Sequence, residues 1–287
     1  MILRLLLALA AALAVTACAK PVEPATPALW EVTGPDGQHA YLFGTIHALP
    51  PQVAWQSPRI EAALAASDRL VLEIRQLKDR DAMQAIFARL ARTPGQPPLS
   101  ARVSPRYRPA LARLLDRAGL ADGQFADIET WAAALTLAQA ARGADSGQGV
   151  DRVLMGMAGN KPVEELEGTA AQLGLFDTLP ESKQRDLLDS VIAEAGQAAA
   201  EESLVEGYWR RGDMEALARE THRGMLADKE LRDILLVRRN AAWAERVAAM
   251  MRAGQRPFVA AGAAHMAGPE GLPALLAGRG YTVRRVQ

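Results

Sequence analysis

Two histidines, far apart in the chain, end the same short motif, Gly-x-x-His. Gly44 and His47 follow the apolar run 41–43, and Gly262 and His265 follow the apolar run 258–261. Each run predicts a buried strand, and we expect the glycine to let the backbone turn sharply as it leaves the sheet. Each histidine should then lie at the C-terminal end of its strand, where open α/β sheets bind ligands. The alternative is a pair of hydrogen-bonded histidines that only cap strand ends.

Two glutamates are placed similarly. Glu73 interrupts the apolar stretch 69–74, which predicts a strand, and Glu167 ends a predicted short strand over 163–167. A buried carboxylate is costly unless it meets a cation, a metal or several hydrogen-bond donors. Glu73 is therefore a candidate site residue. A half-exposed strand that turns Glu73 towards water is the alternative.

These four side chains share one rim if their strands are neighbours, because adjacent strands lie about 4.8 Å apart. Imidazole and carboxylate donors suit a divalent first-row metal such as Zn, Mn or Co. Water at an open coordination position would become a nucleophile, and a free glutamate could accept its proton. The pattern therefore favours metal-dependent hydrolysis.

Other function classes are disfavoured. The chain contains no G-x-S-x-G, Walker, G-x-G-x-x-G or H-E-x-x-H motif. Cys18 is the only cysteine, so a cysteine nucleophile or an intrachain disulfide inside the fold is ruled out. Lysine plus arginine and aspartate plus glutamate each number 33, and this balance argues against nucleic acid as a partner.

The N-terminal segment predicts export. Residues 1–17 are typical of a lipoprotein signal peptide, with a positive start, a short apolar stretch and small residues before Cys18, which would carry the lipid. An ordinary cleaved signal peptide is the alternative. Residues 18–28 predict a proline-rich tether, and residues 29–287 one folded domain. Ala19 rather than aspartate follows the cysteine, and by resemblance to Gram-negative lipoproteins this favours the outer membrane, with the domain facing the periplasm. The lipid is the only predicted membrane contact.

Strand patterns lie near both ends of the chain and helical patterns fill its middle. A turn at 34–37 predicts a hairpin, residues 79–142 and 173–256 are mostly helical, and 281–286 alternate as a last strand. The fold class is therefore α/β, with a central mixed sheet built from both chain ends and a large helical insertion. Within the helices, Asp151 is expected as an N-cap. The charged run 238–240 has the pattern of a solvated surface.

The motifs, taken together, resemble the TraB/GumN family over nearly the whole mature chain. The segments that carry the resemblance are Trp30, 41–47, 70–73, 149–151, 159–167, 172–177, 239–240 and 262–268. The chain departs from the family pattern on either side of the second histidine, where it has Ala264 and Met266 and the family frequently has glycine and leucine. The family is similar to Tiki proteins, described as metal-dependent proteases that trim Wnt ligands. It is more distantly similar to erythromycin-esterase-like and haem-binding ChaN-like proteins.

The resemblance implies roles for particular residues. His47 and His265 would bind the metal, and Glu73 would be a ligand or the base. Glu167 and Arg239 would be further catalytic residues, with Arg239 holding a carboxylate or an oxyanion and Asn240 a weaker candidate. The leading hypothesis is a lipid-anchored, periplasm-facing, metal-dependent hydrolase of peptides or proteins. A metal- or haem-binding protein without turnover, and an adaptor that recruits an envelope protein, remain open.

Overall fold

The computed structural model of the chain describes residues 22–142 and 149–287, without the side chain of Lys78. The predicted signal peptide, the lipid attachment at Cys18 and the first part of the tether lie outside the described residues. The described helices include none that combines the length and apolarity needed to cross a membrane.

A six-stranded sheet forms the centre of the domain, in the order β6-β5-β7-β3-β2-β8, and β1 and β4 form a separate two-stranded pair. Strands β6, β5, β7 and β3 are parallel to one another, whereas β2 pairs antiparallel with both β3 and β8. The strands are β1 Glu23–Pro24, β2 Leu29–Thr33, β3 His39–Thr45, β4 Val53–Ala54, β5 Arg69–Leu72, β6 Val163–Glu165, β7 Pro257–Gly262 and β8 Thr282–Arg285. The predicted mixed sheet built from both ends of the chain is confirmed.

Helices cover the sheet and fill the middle of the chain, as predicted. They are α1 Pro58–Ala66, α2 Arg80–Leu90, α3 Leu99–Arg102, α4 Arg108–Ala118, α5 Thr130–Arg142, α6 Val150–Met157, α7 Thr169–Asp177, α8 Glu181–Glu194, α9 Ala198–Arg210, α10 Met214–Glu220, α11 Lys229–Arg232, α12 Arg238–Arg252 and α13 Leu272–Ala277. The first of these begins where a cap residue precedes a proline: the Ser57 side chain accepts a hydrogen bond from the Ile60 amide.

The central strands are apolar on both sides because both faces of the sheet are covered. In β7, Phe258 and Ala260 pack into one core and Val259 and Ala261 into another. The first core also contains Trp55 and Trp209 from outside the sheet, and the second contains Trp243, Val247 and Met251 of α12. Successive side chains of one strand thus point to opposite faces of the sheet and contribute to two cores. The same alternation fixes the pairing register of the strands, and with it the positions of their ends.

The helical middle has its own core. Trp131 of α5 is fully buried and lies in ring contact with Phe87 and Phe176, and Leu137, Leu187 and Leu188 join the same cluster. As expected from the apolar spacing, these helices serve packing.

The last long helix differs from the sequence expectation. The pattern from 235 to 250 predicts a continuous helix, but residues Asp233–Val237 form one π-helical turn before α12 begins. A single π turn inserts one extra residue into an α-helix and is frequently found at functional sites. Here it directly precedes Arg238, Arg239 and Asn240.

Candidate functional site

The parallel strands β3, β5 and β7 end at one rim, and candidate residues follow each of them. The register pairs Thr45 with Gly262 and Leu72 with Ala260, so the three strands end almost level. His47 lies two residues beyond β3, and Glu73 directly follows β5. His265 lies in the short 3₁₀ helix Ala263–Met266 that follows β7. The expected convergence at strand ends is therefore present.

Glu73 is buried and fully engaged. Its Oε1 accepts a 2.7 Å hydrogen bond from the Gly262 amide, and its Oε2 accepts 3.0 Å bonds from Gln172 Nε2 and Arg239 Nη2. Burial by itself raises the pKa of Glu73, but the positive charge of Arg239 and the hydrogen bond from the Gly262 amide outweigh it. The pKa therefore lies below its ordinary value, and the carboxylate is ionised at neutral pH.

Arg239 connects the carboxylates to the second histidine. Its Nη2 donates to Glu73 and Glu167, its Nε donates to Glu167, and its Nη1 donates to the Leu235 carbonyl and contacts His265 Nε2 at 3.2 Å. The guanidinium also stacks 4.6 Å over the Trp243 ring. These bonds use all five N–H groups of an arginine, so no donor is left for an oxyanion. In this arrangement Arg239 holds carboxylates and positions its neighbours.

Glu167 is the other half of this ion pair. It lies two residues beyond β6, and its oxygens contact Arg239 at 2.5 Å and 3.1 Å in a bidentate pair. Burial raises the pKa of Glu167 although Arg239 opposes the shift. Glu73 and Glu167 thus share one cation while both are largely buried, which couples their protonation.

His265 is buried as a neutral imidazole. An arginine can only donate, so the 3.2 Å contact from Arg239 makes Nε2 of His265 the acceptor and leaves the proton on Nδ1. Nδ1 then donates to Asn240 Oδ1 at 2.5 Å, and Asn240 Nδ2 donates to the Glu270 carbonyl, which fixes the amide orientation. Burial lowers the pKa of His265 to about 4. Asn240, a weak candidate by sequence, orients this imidazole.

His47 has the opposite environment. Its side chain is 86% exposed, and its Nδ1 lies 3.8 Å from Oδ2 of the buried Asp151. The other oxygen of Asp151 accepts a 2.8 Å hydrogen bond from Thr45. Asp151 raises the pKa of His47, and the charge of Glu73 acts in the same direction. An accessible imidazole beside an oriented carboxylate is the arrangement of a general base.

The two motif glycines are required for close approach. We expected both to serve backbone turns, but Gly44 lies inside β3, and neither glycine has a positive φ. A Cβ on Gly44 would lie 3.1 Å from the backbone of Ala263, and one on Gly262 would lie 3.3 Å from Glu73 Oε1. Gly44 thus lets β3 lie close to the segment that follows β7, and Gly262 leaves room for the Glu73 carboxylate.

The predicted metal site does not fit the side chains as they are arranged. Glu73 Oε1 and His265 Nε2 lie 3.9 Å apart, but the guanidinium of Arg239 occupies the lone pair of that nitrogen. Among residues 22–142 and 149–287, no group of three histidine, cysteine, aspartate or glutamate side chains could hold an ion. Binding there would require Arg239 to release His265, so the divalent metal stays a prediction.

Asp151 and Gln172 belong to the site but were not among the functional residues expected from the sequence. Asp151 was expected as an N-cap, but Gly149 is the N-cap of α6, and Asp151 in the first turn faces Thr45 and His47. Gln172 donates to Glu73 from α7. Both lie in segments that carry the family resemblance, which was the only sequence signal for them.

The comparisons with known proteins agree with the resemblance. The model of the TraB/PrgY/gumN family matches residues 28–285. "Uncharacterized protein YbaP" of Shigella flexneri and its counterpart of the same name in Escherichia coli (strain K12) are both 28% identical to this chain over 251 residues. These alignments cover 86% of this chain and 90% of each relative. No solved structure matches the chain.

Proposed function

The chain belongs to the TraB/PrgY/gumN family, and from this premise we propose that it is a hydrolase that cleaves peptides at the rim where β3, β5 and β7 end. The observation that carries the proposal is the pair formed by exposed His47 and buried Asp151. The peptide substrate is proposed from the resemblance to Tiki-type proteases. The resemblance to lipoproteins adds a lipid anchor at Cys18, in the outer membrane and facing the periplasm.

His47 is proposed as the general base. Asp151 raises the pKa of His47, which makes its imidazole a stronger base. The imidazole takes one proton from water as the oxygen bonds to the peptide carbonyl carbon. The carbon–nitrogen bond then breaks, and His47 returns the proton to the leaving amine. Asp151 stabilises the transient imidazolium, as the orienting carboxylate does in catalytic triads.

The buried cluster supports this chemistry without touching the attacking water. Glu73 is ionised and adds negative potential near His47, and Arg239 keeps both carboxylates and neutral His265 in place. We therefore assign Arg239 and Glu167 as positioning residues. Their role is to hold the ends of the parallel strands in register while substrate binds.

Cleavage of a defined peptide mixture, followed by mass spectrometry, tests the proposal. His47→Gln should slow cleavage about 10²–10⁴-fold, since a general base contributes on that order. His39→Gln is the matched control, because His39 begins the same strand at its other end and pairs with Glu31. Equal rates in the His47 variant and the wild type would reject His47 as the base.

The divalent ion is tested separately in the same assay. Activity lost in a chelator and restored by Mn, Co or Zn would support the predicted metal, with His47, Glu73 and His265 as its ligands after Arg239 moves. Activity unaffected by the chelator would reject the metal and keep the hydrolase. No cleavage by the wild type under any of these conditions would overturn the hydrolase and favour the binding or adaptor hypotheses.

A further inference from the structure

A cleft of about 540 Å³ opens directly beside the ion pair of Glu167 and Arg239, which form part of its wall. Its volume lies in the range of small-ligand pockets, about 300–1,000 Å³. Most of the remaining wall is apolar and comes from α7, α12 and the segments next to them: Leu166, Leu175, Leu179, Ile234 and Trp243. A ligand in this cleft would be apolar where it is buried and would lie against the Glu167–Arg239 ion pair.

One arginine at this cleft has no carboxylate partner. Three arginines and one glutamate line the cleft. Arg239 pairs with the two buried glutamates, and Arg238 pairs with Asp233. Arg246 Nη1 donates to the Leu166 carbonyl at 2.9 Å, but within the described parts of the chain Arg246 meets no carboxylate. One anchored guanidinium therefore faces solvent at the edge of an apolar cleft without a counter-charge.

This combination selects a ligand with an apolar body and one anionic end. The Leu166 carbonyl fixes one N–H of Arg246 and leaves N–H groups for a bidentate bond to a carboxylate. Resting on the proposed function, we propose that the cleft binds the C-terminal end of the peptide substrate. Its apolar side chains lie against Leu175 and Ile234, and Arg246 holds its terminal carboxylate. The enzyme would thus prefer peptides that end in apolar residues.

Calorimetric titration of the purified protein with acetyl-Leu-Leu-Phe tests this inference. The free acid should bind about 10–100-fold more tightly than its C-terminal amide, the range expected for a charge-assisted hydrogen bond. Arg246→Met should abolish the preference. Arg252→Met should keep it, because Arg252 lies on the same helix but pairs with Glu245. Ala242→Trp, which fills the cleft from its exposed wall, should weaken the acid and the amide alike.

Several outcomes would overturn the inference: equal binding of acid and amide, a preference that survives Arg246→Met, or no binding of either peptide. Tighter Arg246-dependent binding of decanoate than of the peptide would assign the cleft to a fatty acid instead. An internal acidic side chain that replaces the terminal carboxylate at equal affinity would overturn the C-terminal assignment. Repeating the titration with His47→Gln, in which cleavage should be slowed, measures binding apart from turnover. Acid-selective binding without cleavage by the wild type would then reject the hydrolase alone, and cleavage without acid selectivity would reject the cleft alone.

Discussion

Replacing Arg239 by methionine removes the cation that two buried carboxylates share. The Arg239 side chain is only 11% exposed, and those of its partners Glu73 and Glu167 are 11% and 12% exposed. Removing one partner from a buried ion pair costs about 3–5 kcal/mol, because the other partner is left charged without compensation. Methionine has an unbranched side chain that can pack against the Trp243 ring in place of the guanidinium, so the loss reports mainly on the missing charge. A loss of this size lowers the melting temperature of a domain of this length by about 6–20 °C at pH 7.

The stability lost in Arg239→Met should depend on pH, and the pKa values of the two glutamates determine the direction of that dependence. In the wild type the lowered pKa of Glu73 means a contribution to stability that is present at neutral pH and lost as pH falls through the folded-state pKa. Without Arg239, burial raises the pKa of both glutamates, so the ionised forms destabilise the variant at neutral pH and protonation relieves it. The difference in melting temperature between wild type and variant should therefore shrink as pH falls from 7 towards 4.5.

Arg238→Met is the matched control. Arg238 is the preceding residue, is 73% exposed and pairs with Asp233 on the surface, where an ion pair contributes about 0–1 kcal/mol. Thermal melting followed by circular dichroism, at pH 7 and pH 4.5, compares the two variants. A loss below about 1 kcal/mol for Arg239→Met at pH 7, or a loss that does not change with pH, would refute the account of a shared cation.

Two further predictions concern the histidine motifs. Gly44→Ala should destabilise the protein by about 1–3 kcal/mol, because its Cβ would press on the backbone of Ala263; a melting temperature equal to the wild type would contradict the close approach. The imidazole of His265 should remain neutral, with its proton on Nδ1, between pH 5.5 and 8 in nitrogen-15 NMR, because burial lowers its pKa to about 4. A titration centred near pH 6.5 would show that Arg239 and Asn240 do not hold it.

The strand ends could be predicted from sequence because strand signals are local. Each apolar run of three or four residues before a Gly-x-x-His motif lies in a strand, and the residue after β5 is the glutamate singled out for interrupting an apolar stretch. Parallel strands bring such ends to one edge. The approximate position of the site can therefore be predicted from patterns in the amino-acid sequence alone.

The partners within the site could not be predicted, because they come from distant parts of the chain. Arg239 looks solvated in a charged run at the start of a helix, yet its carboxylate partners lie 72 and 166 residues away in sequence. Thr45 and Asp151 are separated by 106 residues. The residues next to Asp151 in the sequence do not distinguish an aspartate that caps a helix from one that orients a histidine. Such contacts form only when the folded sheet brings distant parts of the chain together.

The pH dependence of peptide cleavage tests the central claim most directly. If His47 is the base, the rate should rise with pH along a limb centred above the ordinary histidine pKa of about 6.5, because Asp151 raises the pKa of His47. Asp151→Asn should move that limb to lower pH. A limb centred below pH 5, or one that stays in place in Asp151→Asn, would contradict the assignment of His47 and Asp151 as the catalytic pair.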